Sequence, residues 1–103
     1  MNTYTTQQVI KYTLAFGCSV SVRDVEGECY MLCKSHDYQG ALEAVESVGI
    51  AEILAWGKDG QLCGWAQIVK GSEGGCEVVE YSGKLMERIH SYPASTLRSL
   101  FGA

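Results

Sequence analysis

Cysteines, histidines and tryptophans are the side chains of this 103-residue chain whose types and spacing could do chemistry. Cys33 and His36 are the one Cys and His close in sequence, and Asp37 follows them. One reading makes Cys33 a nucleophile at a strand-to-helix junction, His36 its base and Asp37 the group that orients the ring. The other makes Cys33 a buried strand residue and His36 a solvated loop residue, and we prefer it because free Cys is usually core. Cys29 and Cys33 share a strand face about 13 Å apart at ~3.3 Å per residue, too far to hold one metal together. No C-x-x-C pair exists, so neither a zinc site nor a thioredoxin-like dithiol has sequence support. Cys18, Cys29, Cys33, Cys63 and Cys76 are odd in number and sit in apolar runs, which points to reduced, buried thiols in a reducing, cytoplasmic compartment.

The loop Lys70-Gly71-Ser72-Glu73-Gly74-Gly75 has a glycine content suited to a phosphate cradle. It leads into a strand rather than a helix, however, and carries Glu73 where an anion would sit. The carboxylates are scattered, with no pair spaced for acid/base work, and His90 falls on the exposed face of the last helix beside Lys84 and Arg88. A non-enzymatic protein without cofactor or metal is therefore expected.

The elements that must position these residues follow from periodicity. Thr5 or Thr6 caps a helix running through Val9, Ile10, Thr13, Leu14 and Phe16 and closing at Gly17. Cys18, Val20 and Val22 then alternate with Ser19, Ser21 and Arg23, and a turn at Val25-Glu26-Gly27 leads to a second strand, Cys29 to Cys33. Ser35 or Asp37 caps a second helix with the apolar face Tyr38, Ala41, Leu42, Val45 and Val48, with Glu43 and Glu46 outward and Gly49 closing it. Ile50 to Trp56 and Leu62 to Val69 are strands joined by a hairpin through Gly57-Lys58-Asp59-Gly60. Cys76 to Tyr81 is a fifth strand, after which Ser82 caps a helix carrying Leu85, Met86, Ile89 and Tyr92 that Pro93 ends. The tail adds one more turn. The chain is read as a single α+β domain over residues 1–103, an antiparallel sheet of about five strands with two or three helices in the order α-β-β-α-β-β-β-α.

The tryptophans depend on register. A two-residue Asp59-Gly60 turn puts Trp56 and Trp65 on one face with Glu52 and Gln67, opposite Ile53, Ala55, Gly64, Ala66 and Ile68. A three-residue Lys58-Asp59-Gly60 turn slips the pairing by one and sends the tryptophans to opposite faces. We favour the second geometry, because Gly57 and Gly60 flank the turn as it requires.

Net charge is −4, divided into an acidic body of −6 over residues 1–81 and a basic segment of +2 beyond. A duplex nucleic-acid binder needs a basic stripe, and none exists before Lys84, so direct nucleic-acid binding is disfavoured. Residues 1–8 lack the basic and apolar stretches of a secretory signal, and no apolar run approaches the ~18 residues of a membrane span.

Three segments carry a likeness: Ser35-His36-Asp37 leading into Ala41-Leu42-Glu43-Ala44-Val45-Glu46-Ser47, then Gly64-Trp65-Ala66-Gln67-Ile68-Val69-Lys70-Gly71, then Glu77-Val78-Val79-Glu80-Tyr81-Ser82. Over about residues 20 to 89 the chain resembles a loose group of small acidic accessory proteins of bacteriophages, prophages and mobile elements. That resemblance implies a protein that binds and inhibits a host defence protein, as anti-CRISPR and anti-restriction inhibitors do, and an acidic surface suits a nucleic-acid-handling target with a basic site. The expected partner-binding residues are Trp56, Trp65, Glu43 and Glu46, brought together if the acidic helix and the aromatic hairpin adjoin. The alternatives are a small-molecule-binding domain using the sheet face of Trp56 or Trp65, or a homo-oligomeric structural domain, a homodimer included, joined through an edge strand.

Overall fold

Thr6–Ala15 forms the first helix, α1, because Thr6, Val9, Ile10 and Thr13 fall on one helical stripe and are buried together. The computed structural model describes residues 6–70 and 76–91. Hydrogen bonds from the Gly17 N–H to the Leu14 carbonyl (3.0 Å) and from the Cys18 N–H to the Thr13 carbonyl (3.3 Å) close α1 as a Schellman motif. Strands β1 (Ser19–Asp24) and β2 (Cys29–Ser35) pair antiparallel, helix α2 (Tyr38–Glu46) crosses over, and β3 (Ile50–Trp56), β4 (Leu62–Lys70) and β5 (Cys76–Ser82) follow. Helix α3 (Lys84–Ser91) comes last among the described residues. The sheet order is β2-β1-β3-β4-β5, all neighbours antiparallel, which is the α+β architecture and element order expected from the sequence.

Strand alternation decides where the core lies. Val20, Val22, Ala51, Ile53, Ala55, Ala66 and Ile68 project from one face, and Val9, Ile10 and Tyr12 of α1, Ala41, Leu42 and Val45 of α2, and Leu85, Met86 and Ile89 of α3 bury against them. Among the described residues, therefore, all three helices lie on the same side of the sheet and the other side is left uncovered. Among the described residues no helix is long and apolar enough to cross a membrane.

The turn Lys58-Asp59-Gly60 does have three residues: the Gly57 N–H bonds the Gln61 carbonyl (2.9 Å), the Gly60 N–H bonds the Gly57 carbonyl (3.0 Å), and Gly60 has φ +81°. The favoured consequence is nonetheless wrong. Trp56 pairs with Leu62 but Ala55 pairs with Gly64, so Cys63 is an extra residue that restores the register the turn had slipped. Leu54 then faces Trp65, and both tryptophans share one face.

The cysteines also differ. Only Cys18 is buried, Cys63 and Cys76 are half-buried, and Cys29 and Cys33 are exposed. The pairing of edge strand β2 with β1 is irregular and Lys34 has φ +44°, so most of the β2 side chains turn outward. Asp37 holds the N-cap position of α2 without a side-chain cap hydrogen bond. Ser47, not Gly49, is the C-cap of α2, with its hydroxyl donating to the Ala44 carbonyl at 2.7 Å. Ser82 ends β5, and Gly83 takes the cap position of α3, its carbonyl accepting the Glu87 N–H at 3.0 Å. Thr5, the 71–75 loop, Tyr92, Pro93 and the tail turn lie outside the described residues.

Candidate functional site

The uncovered face of the sheet is built by the residues that alternate with the core. From β2 to β5 it presents Tyr30, Arg23, Ser21, Glu52, Leu54, Trp56, Trp65, Gln67, Glu77 and Glu80 at successive ladder positions. Trp56 is fixed there. Its indole N–H donates to the Ser21 hydroxyl at 3.0 Å, and the Lys34 ammonium stands 4.7 Å from its ring centroid. The same Ser21 hydroxyl accepts the Lys34 backbone N–H at 2.9 Å, so one side chain, only 2% exposed, ties the indole to the edge strand. Trp65 stands one strand over, opposite Leu54, with Leu62, 47% exposed, beside Trp56. Two half-buried indoles and two leucines thus form an apolar strip across the middle of the face.

Charge on this face is divided. Glu77 and Glu80 lie on edge strand β5, whereas Glu52 on the central strand β3 is 3.7 Å from Arg23 of β1 in an ion pair about 30% exposed on both sides. Lys34, His36 and Lys58 border a dent of about 240 Å³ against Trp56 at the opposite corner.

A larger cleft of about 640 Å³ opens at the end of the sheet where α3 starts. Phe16 and Cys18 come from the end of α1, Leu62, Cys63, Gly64 and Trp65 from β4, and Ser82, Gly83, Lys84, Leu85 and Arg88 from the β5–α3 junction. Its floor depends on a close backbone approach. A side chain at Gly83 would place its Cβ 2.5 Å from the Gly64 Cα and 2.6 Å from the Cys63 carbonyl oxygen, and Gly83 itself has φ +99°. Cys18 and Cys63 both line this cleft, the Cys63 thiol donating to the Gln61 carbonyl at 3.7 Å; burial, then the neighbouring Cys63 thiol, pushes the Cys18 pKa up.

The structure separates the residues that the sequence reading grouped. Trp56 and Trp65 lie on the uncovered face, whereas Glu43 and Glu46 point to solvent from α2, which packs on the other side of the sheet. Cys33, His36 and Asp37 share no side-chain hydrogen bond, and Cys33 and His36 are both exposed, so the strand-end triad is not assembled. His90 is not on an open face: its ring stacks on Tyr81 at 3.9 Å and 8°, and its Nδ1 lies 2.8 Å from the Met86 carbonyl. Among the described residues no three His, Cys, Asp or Glu side chains converge to hold a metal ion. Sequence reasoning missed Lys34, Phe16, Lys84 and Arg88 as site residues, and it missed the meeting of Cys18 with Cys63. The positive charge after residue 84 was the only signal of the cleft. Comparison with protein families, with curated proteins and with solved structures found no match to this chain.

Proposed function

We propose that this chain is a non-enzymatic protein-binding module that docks a protein partner on the uncovered face of its sheet. The observation that carries the reading is that all three helices take one side while Trp56 and Trp65 stand together on the other. Indoles in the centre of a patch, with charged groups at its edge, are the composition of binding hot spots. The occupant is a protein surface with basic groups opposite Glu77 and Glu80 and an apolar centre against the tryptophans. Charge complementarity supports that choice, since the chain carries −4 overall and its basic segment begins on α3, on the helix side. The resemblance to accessory proteins of mobile elements makes a host nucleic-acid-handling defence protein the class of partner we infer.

The test is affinity capture from a host lysate at low and high salt with the wild type and with Trp56→Ala and Trp65→Ala, each checked for folding by circular dichroism. One partner should be recovered in stoichiometric amount by the wild type. Each tryptophan variant should bind it about 30-fold more weakly, the ~2 kcal/mol of a hot-spot truncation, and salt should weaken the complex. Recovery that is indifferent to both tryptophans, or no partner at low ionic strength, overturns the reading. A dimeric mass by light scattering that falls to a monomer in the tryptophan variants would identify a second copy as the occupant instead.

A further inference from the structure

The cleft beside α3 shares Leu62 and Trp65 with the sheet face and adds cationic groups from α3 that the face lacks. Its walls are Phe16, Leu62, Trp65 and Leu85, and among the described residues its charged lining is Lys84 and Arg88, both exposed at the side formed by α3. Two cations four residues apart on one helix project on the same side, and Arg88 also lies 5.7 Å from the Phe16 ring, joining the charged and aromatic walls. At about 640 Å³ the cleft is within the range of ~300–1,000 Å³ in which proteins hold small organic molecules. In a chain of net charge −4, Lys84 and Arg88 beside an apolar floor favour an anion as well as an apolar shape. From this juxtaposition we propose that the cleft binds a small amphipathic anion, its apolar body between Phe16 and Trp65 and its carboxylate, sulfonate or phosphate against Lys84 and Arg88.

Close backbone packing supports a preformed site. Gly64 and Gly83 touch, a Cβ on Gly64 would stand 3.0 Å from the Met86 Cγ, and α3 is anchored by the buried Leu85, Met86 and Ile89. The walls on β4 and α3 therefore do not depend on a ligand to come together.

Anilinonaphthalene sulfonate is a suitable probe, with N-phenylnaphthylamine as the same ring system without the anion. Titration of the full chain should show saturable one-to-one binding of the sulfonate, with energy transfer from tryptophan to the dye. The uncharged analogue should bind at least about tenfold more weakly, and so should the sulfonate to the double variant Lys84→Glu, Arg88→Glu, as loss of a charge-assisted contact requires. Both substituted residues are exposed, and the variant's unfolding midpoint checks that its fold persists. Equal binding of the charged and uncharged probes, equal binding by the variant, or no saturable binding at millimolar dye would each overturn the proposal. Inorganic phosphate competing as well as a long-chain carboxylate would also overturn it, since the apolar wall would then contribute nothing.

Discussion

Replacing Gly83 by alanine tests the packing that holds α3 on the sheet, and Gly60→Ala supplies its control. Both glycines have positive φ, +99° and +81°, so alanine at either is strained by the backbone alone. That strain costs about 1–2 kcal/mol and is offset by up to about 1 kcal/mol because the unfolded chain also loses freedom. At Gly60 nothing lies within 4 Å of the added Cβ, so backbone strain is the entire effect, about 1 kcal/mol net. At Gly83 the Cβ meets the Gly64 Cα at 2.5 Å and the Cys63 carbonyl oxygen at 2.6 Å. Both are backbone atoms of an interior strand and cannot swing aside. α3 must therefore move outward by about 1 Å, adding the ~1–3 kcal/mol of an overpacked contact. If it detaches, burial of Leu85, Met86 and Ile89 is lost as well, at about 1.5–3 kcal/mol each. Gly83→Ala should then cost at least about 3 kcal/mol, against about 1 kcal/mol for Gly60→Ala. In a domain of this size that is a fall in Tm of at least about 12 °C against roughly 4–8 °C. Urea unfolding followed by tryptophan fluorescence measures both, and Gly83→Ala should also abolish dye binding in the cleft. Losses equal to within about 0.5 kcal/mol would refute the close approach of Gly83 to β4.

Ser21→Ala should cost about 2 kcal/mol, because it leaves the Trp56 indole N–H and the Lys34 backbone N–H without their acceptor. A urea midpoint unchanged from the wild type would contradict that geometry. Arg23→Gln should change stability by less than about 0.5 kcal/mol, since the 3.7 Å pair with Glu52 is partly exposed and solvent-screened; thermal denaturation showing a loss above about 1 kcal/mol would contradict it. The raised Cys18 pKa has a definite sign. From pH 9.0 upward the unfolded chain releases the thiol proton while the folded chain retains it, so stability is full below that pH and falls as pH rises. Urea midpoints across that range should decline more steeply for the wild type than for Cys18→Ala, and parallel declines would exclude the Cys18 thiol as the cause.

The fold was legible because the apolar residues keep their period. Val20 and Val22, Ala51, Ile53 and Ala55, and Ala66 and Ile68 mark one sheet face, and each helix carries a single apolar stripe that can bury only there. The same alternation places Glu52, Leu54 and Trp56 opposite the core, and helix α2 buries Ala41, Leu42 and Val45 on the core face. Glu43 and Glu46 therefore could not join the tryptophans. What local pattern could not reveal depends on contacts between distant segments. The extra residue at Cys63 cancels the slip introduced by the Lys58-Asp59-Gly60 turn, and nothing in the sequence of β4 announces it. Cys18 meets Cys63 across 45 positions only once β1, β3 and β4 are in register. Gly83 displaces Ser82 from the cap of α3 because the helix must start against the Gly64 backbone, a constraint set by tertiary approach rather than by capping preference. Most of the β2 thiols' outward turn likewise follows from irregular pairing with β1, which an apolar run does not disclose.

Hydroxyl-radical footprinting of the complex with the captured partner, read by mass spectrometry, tests the docking face most directly. Trp56 and Trp65 should be oxidised readily in the free chain and protected in the complex, while Tyr38 on α2 keeps its rate of modification. Tryptophans that oxidise equally fast with and without partner, or protection confined to α2, would contradict the assignment of the uncovered sheet face as the binding surface.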